Sequence, residues 1–216
     1  MTKVVRGRQE PDRLMLLVHG KGANEHDLEP LIAFIDPESR FLTVLPRAPI
    51  PFMGGWQWYQ TDGIPKGGPE LVDSVDALDD LLDAACAEHG FDRSQAIVAG
   101  FSQGCALTLA LGLRRSHRPR PAGLLGMSGF LPERDGLEYD FDGAPPVLIQ
   151  HGAFDELISV EYGRTAAARL AAEDVPVVYR EYPMAHQVVE ESLHDVRFWL
   201  SLVLAGDRPT EPAPAP

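Results

Sequence analysis

The pentapeptide Gly100-Phe101-Ser102-Gln103-Gly104 joins the apolar run Ala96-Ile97-Val98-Ala99 to a helix-like stretch over 103–113. A serine on a sharp strand-to-helix turn holds its hydroxyl clear of a sheet. It needs glycine on either side, because strand and helix approach most closely there. The hydroxyl is then reachable by a base. As a bare pattern, Gly-x-Ser-x-Gly also fits a plain glycine-rich turn, so its meaning depends on what surrounds it.

Short apolar runs alternate with amphipathic stretches along the whole chain, the pattern of a mainly parallel sheet with helices on both faces, an α/β fold. Strands are predicted over 14–18, 41–45, 95–101, 122–127, 146–150 and 177–182, with an edge strand near 3–8. Helices are predicted over 27–35, 69–89, 103–113, 160–173 and 188–204. In the last of them Val189, Leu193, Val196, Leu200 and Val203 recur at helical spacing, which gives one apolar face toward a core. The 216 residues suit a single domain over 1–205, followed by a Pro-rich segment, 206–216, without apolar pattern and expected to be disordered. About twenty residues separate the strands ending at Met127 and starting at Pro146, too few for an inserted lid domain. The site is therefore expected to be open.

Composition narrows the function classes. A formal charge of −13 argues against nucleic acid, whose phosphates require clustered Lys and Arg, and disfavours stable association with anionic membranes. No apolar run approaches the length of a membrane span, and the basic start, Met1 to Arg8, lacks the apolar core of a secretion signal. A cytoplasmic location is expected. Glu70, Asp73, Asp76, Asp79, Asp80 and Asp83 interleave with Leu71, Val75, Leu78, Leu82 and Ala85, which reads as the solvated face of a helix rather than a metal site. Cys86 and Cys105 fall in predicted helices without metal-binding spacing and read as core fillers. Nothing implies a metal or a cofactor. The oligomeric state stays open, a homodimer included.

In an open α/β sheet, functional groups collect on loops at the carboxyl ends of the strands. Three such loops carry complementary chemistry: Ser102 after the strand 95–101, Asp155 in His151-Gly152-Ala153-Phe154-Asp155, and His186 in Tyr182-Pro183-Met184-Ala185-His186. A serine hydroxyl is a weak nucleophile until an imidazole accepts its proton, and a carboxylate fixes that imidazole's tautomer. His26, His89, His117 and His194 are assigned to surface or packing; His19 and His151 end strands before a glycine and read as loop supports. Glu156, and Asp140 or Asp142 one loop earlier, are the alternative acids. An anion formed at the substrate carbonyl would meet the backbone N–H of Gln103 and that of Lys21, within His19-Gly20-Lys21-Gly22. The alternative for that loop is a plain turn. The aromatic run from Phe52 to Tyr59 reads as a wall of the substrate pocket through Trp56 and Trp58, with simple packing as the alternative and with Met184 and Leu157 as further lining candidates.

Taken together, Leu17-Val18-His19-Gly20-Lys21-Gly22-Ala23-Asn24-Glu25-His26-Asp27-Leu28, Gly100-Phe101-Ser102-Gln103-Gly104, Met127-Ser128-Gly129-Phe130-Leu131, His151-Gly152-Ala153-Phe154-Asp155 and Met184-Ala185-His186 resemble the phospholipase/carboxylesterase family of small α/β-hydrolases, over roughly residues 14 to 204. The resemblance implies hydrolysis of carboxylic esters or thioesters through an acyl-serine, without cofactor, with Ser102, Asp155 and His186 in the triad positions. Asn24-Glu25-x-Asp27-Leu28 is more similar to the bacterial carboxylesterase branch than to the eukaryotic acyl-protein thioesterases, so small-molecule ester hydrolysis ranks above protein deacylation. Lysophospholipase and thioesterase activities are the alternatives, and a catalytically silent binding protein of the same fold is the reading from another class. The chain departs from many members at Lys21, where an apolar residue is usual, and at Cys105 and Ala185, where glycine is. A cation at Lys21 is expected to favour acidic or phosphate-bearing substrates.

Overall fold

Apolar residues occupy both faces of the central strands, and in the computed structural model each face has its own helical layer. Residues 2–6, 10–61 and 63–211 are described. The elements are β1 (Thr2–Arg6), β2 (Arg13–Val18), α1 (Glu29–Ile35), β3 (Phe41–Pro46), β4 (Ile50–Phe52), β5 (Gly55–Gln57), α2 (Leu71–His89), β6 (Ala96–Phe101), α3 (Gln103–Leu113), β7 (Gly123–Met127), β8 (Val147–Gly152), α4 (Val160–Ala172), β9 (Val177–Tyr182) and α5 (Glu190–Leu204). Seven strands form one sheet in the order β1-β3-β2-β6-β7-β8-β9. β1 runs antiparallel to β3, and the remaining neighbours are parallel.

Strand parity sorts the core. Leu14, Leu16 and Val18 face one layer with Leu78 of α2, Leu107 of α3 and Leu170 of α4. Met15 and Leu17 face the other, with Ile35 of α1 and Val196 and Trp199 of α5. Each such side chain, removed fully from water, contributes on the order of 2 kcal/mol. The most enclosed helix is α3: all eleven of its residues are buried. That burial explains its nearly uniform apolar composition.

Two features differ from the sequence expectations. A short hairpin, β4 with β5, stands where a loop was expected; Met53 and Gly54 form its two-residue turn with φ of 48° and 86°, the positive values that suit such turns. Three-residue strands are too short to announce themselves by alternation. The acidic face of α2 is not wholly solvated either. Asp73, Asp76 and Asp80 are exposed, but Asp79 is buried against Arg93, Arg114 (2.7 Å) and Arg118 (3.4 Å). That turn of the helix faces the segments around 93 and 114–118, and a carboxylate withdrawn from water there has to be matched by cations. Of the predicted edge strand near 3–8, β1 covers the part up to Arg6, and residues 7 and 8 lie outside the described residues.

β7 and β8 are joined by residues 128–146 without a helix. In the Pro-rich segment Arg208 donates to the Ala144 carbonyl (2.7 Å); residues 212–216 of the predicted disordered tail lie outside the described residues. No helix among the described residues is long and apolar enough to cross a membrane.

Candidate active site

β6 delivers Ser102 at φ 56° and ψ −116°, a backbone conformation that disfavours any residue with a Cβ. Bonds on both sides hold it there. The Ser102 N–H donates to the Met127 carbonyl (2.9 Å), prolonging the β6–β7 ladder, and the Ser102 carbonyl accepts from Ala106 N–H (3.3 Å) at the start of α3. The flanking glycines are required by space: a Cβ on Gly100 would come within 2.2 Å of the Gly104 carbonyl, and one on Gly104 within 2.1 Å of the Val18 carbonyl. The serine is lifted onto a turn that no bulkier sequence could form.

The candidate base and acid come from the loops after β9 and β8. His186 Nδ1 donates to Asp155 Oδ2 at 2.7 Å. The other carboxylate oxygen accepts the N–H groups of Leu157 (3.0 Å) and Ile158 (2.8 Å), and the side chain is fully buried. Asp155 is thus fixed by its own loop, and it leaves His186 Nε2 for a proton from elsewhere. The His186 ring lies 4.8 Å from the ring of Phe101, the residue before Ser102. Among the described residues the serine hydroxyl makes no hydrogen bond; bonds between nucleophile and base often tighten only in the complex with substrate. Of the alternative acids, Glu156 is exposed, and Asp140 binds the Asp142 N–H (3.2 Å) in the loop that enters β8 from its other end.

Two further histidines brace the site. His151 Nε2 donates to the Ile158 carbonyl (2.8 Å) and lies 3.4 Å from Asp155 Oδ2; burial pushes its pKa below the ordinary value. A neutral ring there leaves the Asp155 charge to His186. His19 Nδ1 donates to the Gly20 carbonyl (2.7 Å) while Nε2 accepts Ala48 N–H (3.1 Å), a pattern that one neutral tautomer satisfies. Burial lowers its pKa as well.

The loop after β2 lies against the elbow, since a Cβ on Gly20 would sit 3.1 Å from the Ser102 Cβ. The backbone N–H groups of Lys21 and Gln103 have no partner among the described residues; for Gln103 that follows from its place in the first turn of α3. The hairpin clamps this loop. Gly22 N–H donates to the Trp56 carbonyl (2.8 Å) and Trp56 N–H to the Ala23 carbonyl (2.9 Å), and a Cβ on Gly55 would overlap the Gly22 carbonyl at 1.9 Å. Glu25 is buried and paired with Arg47 through Nε (2.5 Å) and Nη2. That guanidinium holds the Glu25 carboxyl down to about 2.

The proposed pocket wall needs correction. Trp58 is only 3% exposed; its indole N–H donates to the His19 carbonyl (2.8 Å) and its main-chain N–H to Gln103 Oε1 (3.0 Å). It is a core strut, because an indole with a satisfied N–H is as easily buried as displayed. Trp56 is half-buried under the Arg47 guanidinium, 5.0 Å away. Met184 is buried, and its main chain ties the base loop to Tyr182 (2.7 Å) and Phe154 (3.1 Å). Leu157 is exposed, as are Phe154 and Met53. The Lys21 ammonium is not free either: it lies 4.4 Å over the Phe52 ring and 3.3 Å from Thr61 Oγ1. Cys105 is wholly buried, its thiol pushed up to about 12 by burial, and it fills the space that Gly126 and Gly129 leave open. Among the described residues no group of three or more His, Cys, Asp or Glu side chains is placed to hold a metal.

Sequence reasoning missed the side chain of Gln103, the indole of Trp58 and the Glu25–Arg47 pair. The Gly54-Gly55 step was the one local signal of the hairpin that leads into Trp58.

A seven-stranded, mainly parallel sheet, layered on both faces and carrying a serine elbow after an inner strand, defines an α/β-hydrolase. The crystal structure of the Bacillus cereus carboxylesterase superposes with a TM-score of 0.79, covering 94% of this chain and 93% of that one at 20% identity, a likeness of fold. The phospholipase/carboxylesterase family pattern matches residues 1–204, and the chain belongs to that family. Its relatives include MhqD of Bacillus subtilis, named as a hydrolase, at 28% identity over 190 residues, or 87% of this chain and 92% of the relative. Acyl-protein thioesterase 1 of Yarrowia lipolytica is 26% identical over 136 residues, 60% of this chain and 59% of the relative. The chain is accordingly a hydrolase of the esterase and thioesterase group.

Proposed function

We propose that this hydrolase is a serine carboxylesterase that cleaves small to medium acyl esters of small molecules through an acyl-serine, in the cytoplasm and without a cofactor, nucleic acid or stable membrane attachment. His186 Nε2 takes the Ser102 proton as Oγ attacks the ester carbonyl, and Asp155 stabilises the imidazolium that forms. The oxyanion accepts from the N–H groups of Lys21 and Gln103. Collapse of the tetrahedral species breaks the C–O bond and expels the alcohol, which takes the proton from His186. Water repeats the sequence in reverse to release the acid and free the serine.

The observation that carries this reading is the 2.7 Å bond between His186 Nδ1 and a buried Asp155 whose second oxygen is already committed to its own loop. Such a carboxylate has one task left, to orient the imidazole. Thioester hydrolysis is the second reading, favoured by the thioesterases among the relatives; the same acyl-serine serves it, with a thiol as leaving group. Turnover of p-nitrophenyl esters of rising chain length beside an acyl thioester separates the two. In that assay Ser102→Ala is expected to lose about 10⁴-fold or more in kcat with the fold intact. Retention of more than a few per cent by purified, folded variant would remove Ser102 as the nucleophile.

A further inference from the structure

We infer that Trp58 and the side chain of Gln103 are positioning residues that fix the spacing of the two oxyanion donors, an inference that rests on the ester-hydrolase reading above. The donors belong to elements far apart in the chain, the loop after β2 and the first turn of α3. Residues 56–59 strap them together. At one end, Trp56 exchanges two main-chain hydrogen bonds with Gly22 and Ala23. Trp58 then reaches the start of the same loop, where its Nε1–H donates to the His19 carbonyl at 2.8 Å. At the other end, Gln103 Oε1 accepts the Trp58 N–H at 3.0 Å and Gln103 Nε2–H donates to the Tyr59 carbonyl at 2.9 Å.

Residue 58 therefore holds one donor segment with its indole and the other with its main chain. The choice of glutamine follows from the same geometry. A primary amide offers an acceptor and a donor side by side, which is what the N–H of one residue and the carbonyl of the next present. Trp58, Tyr59 and Gln103 are all buried, so these bonds are not exchanged with water, and breaking one leaves a buried polar group unpaired. An oxyanion hole works only if its donors lie about 2.7–3.1 Å from the developing charge. A displacement of about 1 Å in such an array can cost on the order of 10²-fold.

Trp58→Phe keeps an aromatic ring and removes the indole N–H; Gln103→Met keeps length and the main-chain donor and removes both amide bonds. For wild type, both variants and the double variant, kcat and KM are measured with p-nitrophenyl acetate, together with Ki for an aryl trifluoromethyl ketone, whose serine adduct carries an oxyanion. Labelling of Ser102 by a fluorophosphonate and near-ultraviolet circular dichroism accompany them. The expected result is a fall in kcat of about ten- to a hundredfold with KM within twofold, and a rise in the ketone Ki by the factor lost from kcat/KM. The double variant should be about as impaired as the worse single one, because both cut the same link. A folded Trp58→Phe with kcat within twofold of wild type, a loss confined to KM, or a double variant whose loss is the product of the singles overturns the proposal. If Gln103→Met does not fold, Trp58→Phe decides alone. A wild type that neither turns over the ester nor labels at Ser102 overturns the ester-hydrolase reading and the strap with it; activity and labelling with an unaffected Trp58→Phe overturn only the strap.

Discussion

The acid–base half proposed for the site and its proposed oxyanion half are built in opposite ways. Asp155 is fixed by the N–H groups two and three residues further on, and it meets His186 directly. The oxyanion half depends on bonds between distant segments: His19 with Ala48 and Trp58, Gln103 with Trp58 and Tyr59, Glu25 with Arg47. A local loop can position a carboxylate by itself. Two main-chain N–H groups from different elements cannot be positioned without tertiary tethers, since neither carries a side chain that could be aimed.

This contrast predicts where mutations should be sharp and where they should be diffuse. Asp155→Asn, which leaves the loop but offers His186 the wrong partner, should cost about 10³- to 10⁴-fold in kcat, whereas Glu156→Gln should cost under about tenfold. The reverse ranking in steady-state assays would move the acid by one residue and break the local account.

On the other half, Glu25→Gln should lower kcat by about tenfold or less, because it loosens the donor loop without touching a donor. Its stability signature depends on pH. The native Glu25 carboxyl titrates near 2, below its ordinary value of 4.5, so its contribution is fully present above about 4.5 and is lost as pH falls toward 2. Thermal unfolding should show the variant a few degrees below wild type at pH 7, with the gap closing between pH 4.5 and 2. A gap that is constant across that window would mean that the pair with Arg47 contributes packing rather than charge.

The smallest effect is expected at Lys21. Its main-chain N–H is assigned to the oxyanion and its ammonium is held by Phe52 and Thr61, so Lys21→Leu should keep kcat for a neutral short-chain ester within about tenfold. For an ester bearing a free carboxylate, KM should rise about fivefold at low ionic strength and less in high salt. If neither substrate responds, the side chain takes no part in selecting charge; if kcat collapses for the neutral ester, the side chain acts in the chemistry.

The difference between the halves also decides what could be read from the sequence. The elbow, the strands that carry Asp155 and His186, and the supporting roles of His19 and His151 were legible because each rests on a contiguous pattern: an apolar run, a glycine, a functional residue. The layered sheet was legible from strand and helix periodicity. Trp58 was misread because a tryptophan in an aromatic cluster looks the same whether its ring lines a pocket or its N–H meets a buried carbonyl. The partner, His19, is 39 residues away. Asp79 was misread for the same reason: helical spacing alone does not reveal which turn of α2 faces arginines supplied by other segments. The Gln103 side chain was masked by its neighbour, since the motif directs attention to the main chain of that residue.

Ser102 is the residue from which α3 departs, and every residue of that helix is buried. Exchange of its amides with solvent therefore has no cheap local route, unlike that of the exposed hairpin tip at Met53 or the acid loop at Phe154. The elbow at Ser102 is expected to be among the last parts of the molecule to open. On heating, the rim of the site should loosen first and the elbow should be lost only together with the fold, an order that amide exchange followed against temperature would check.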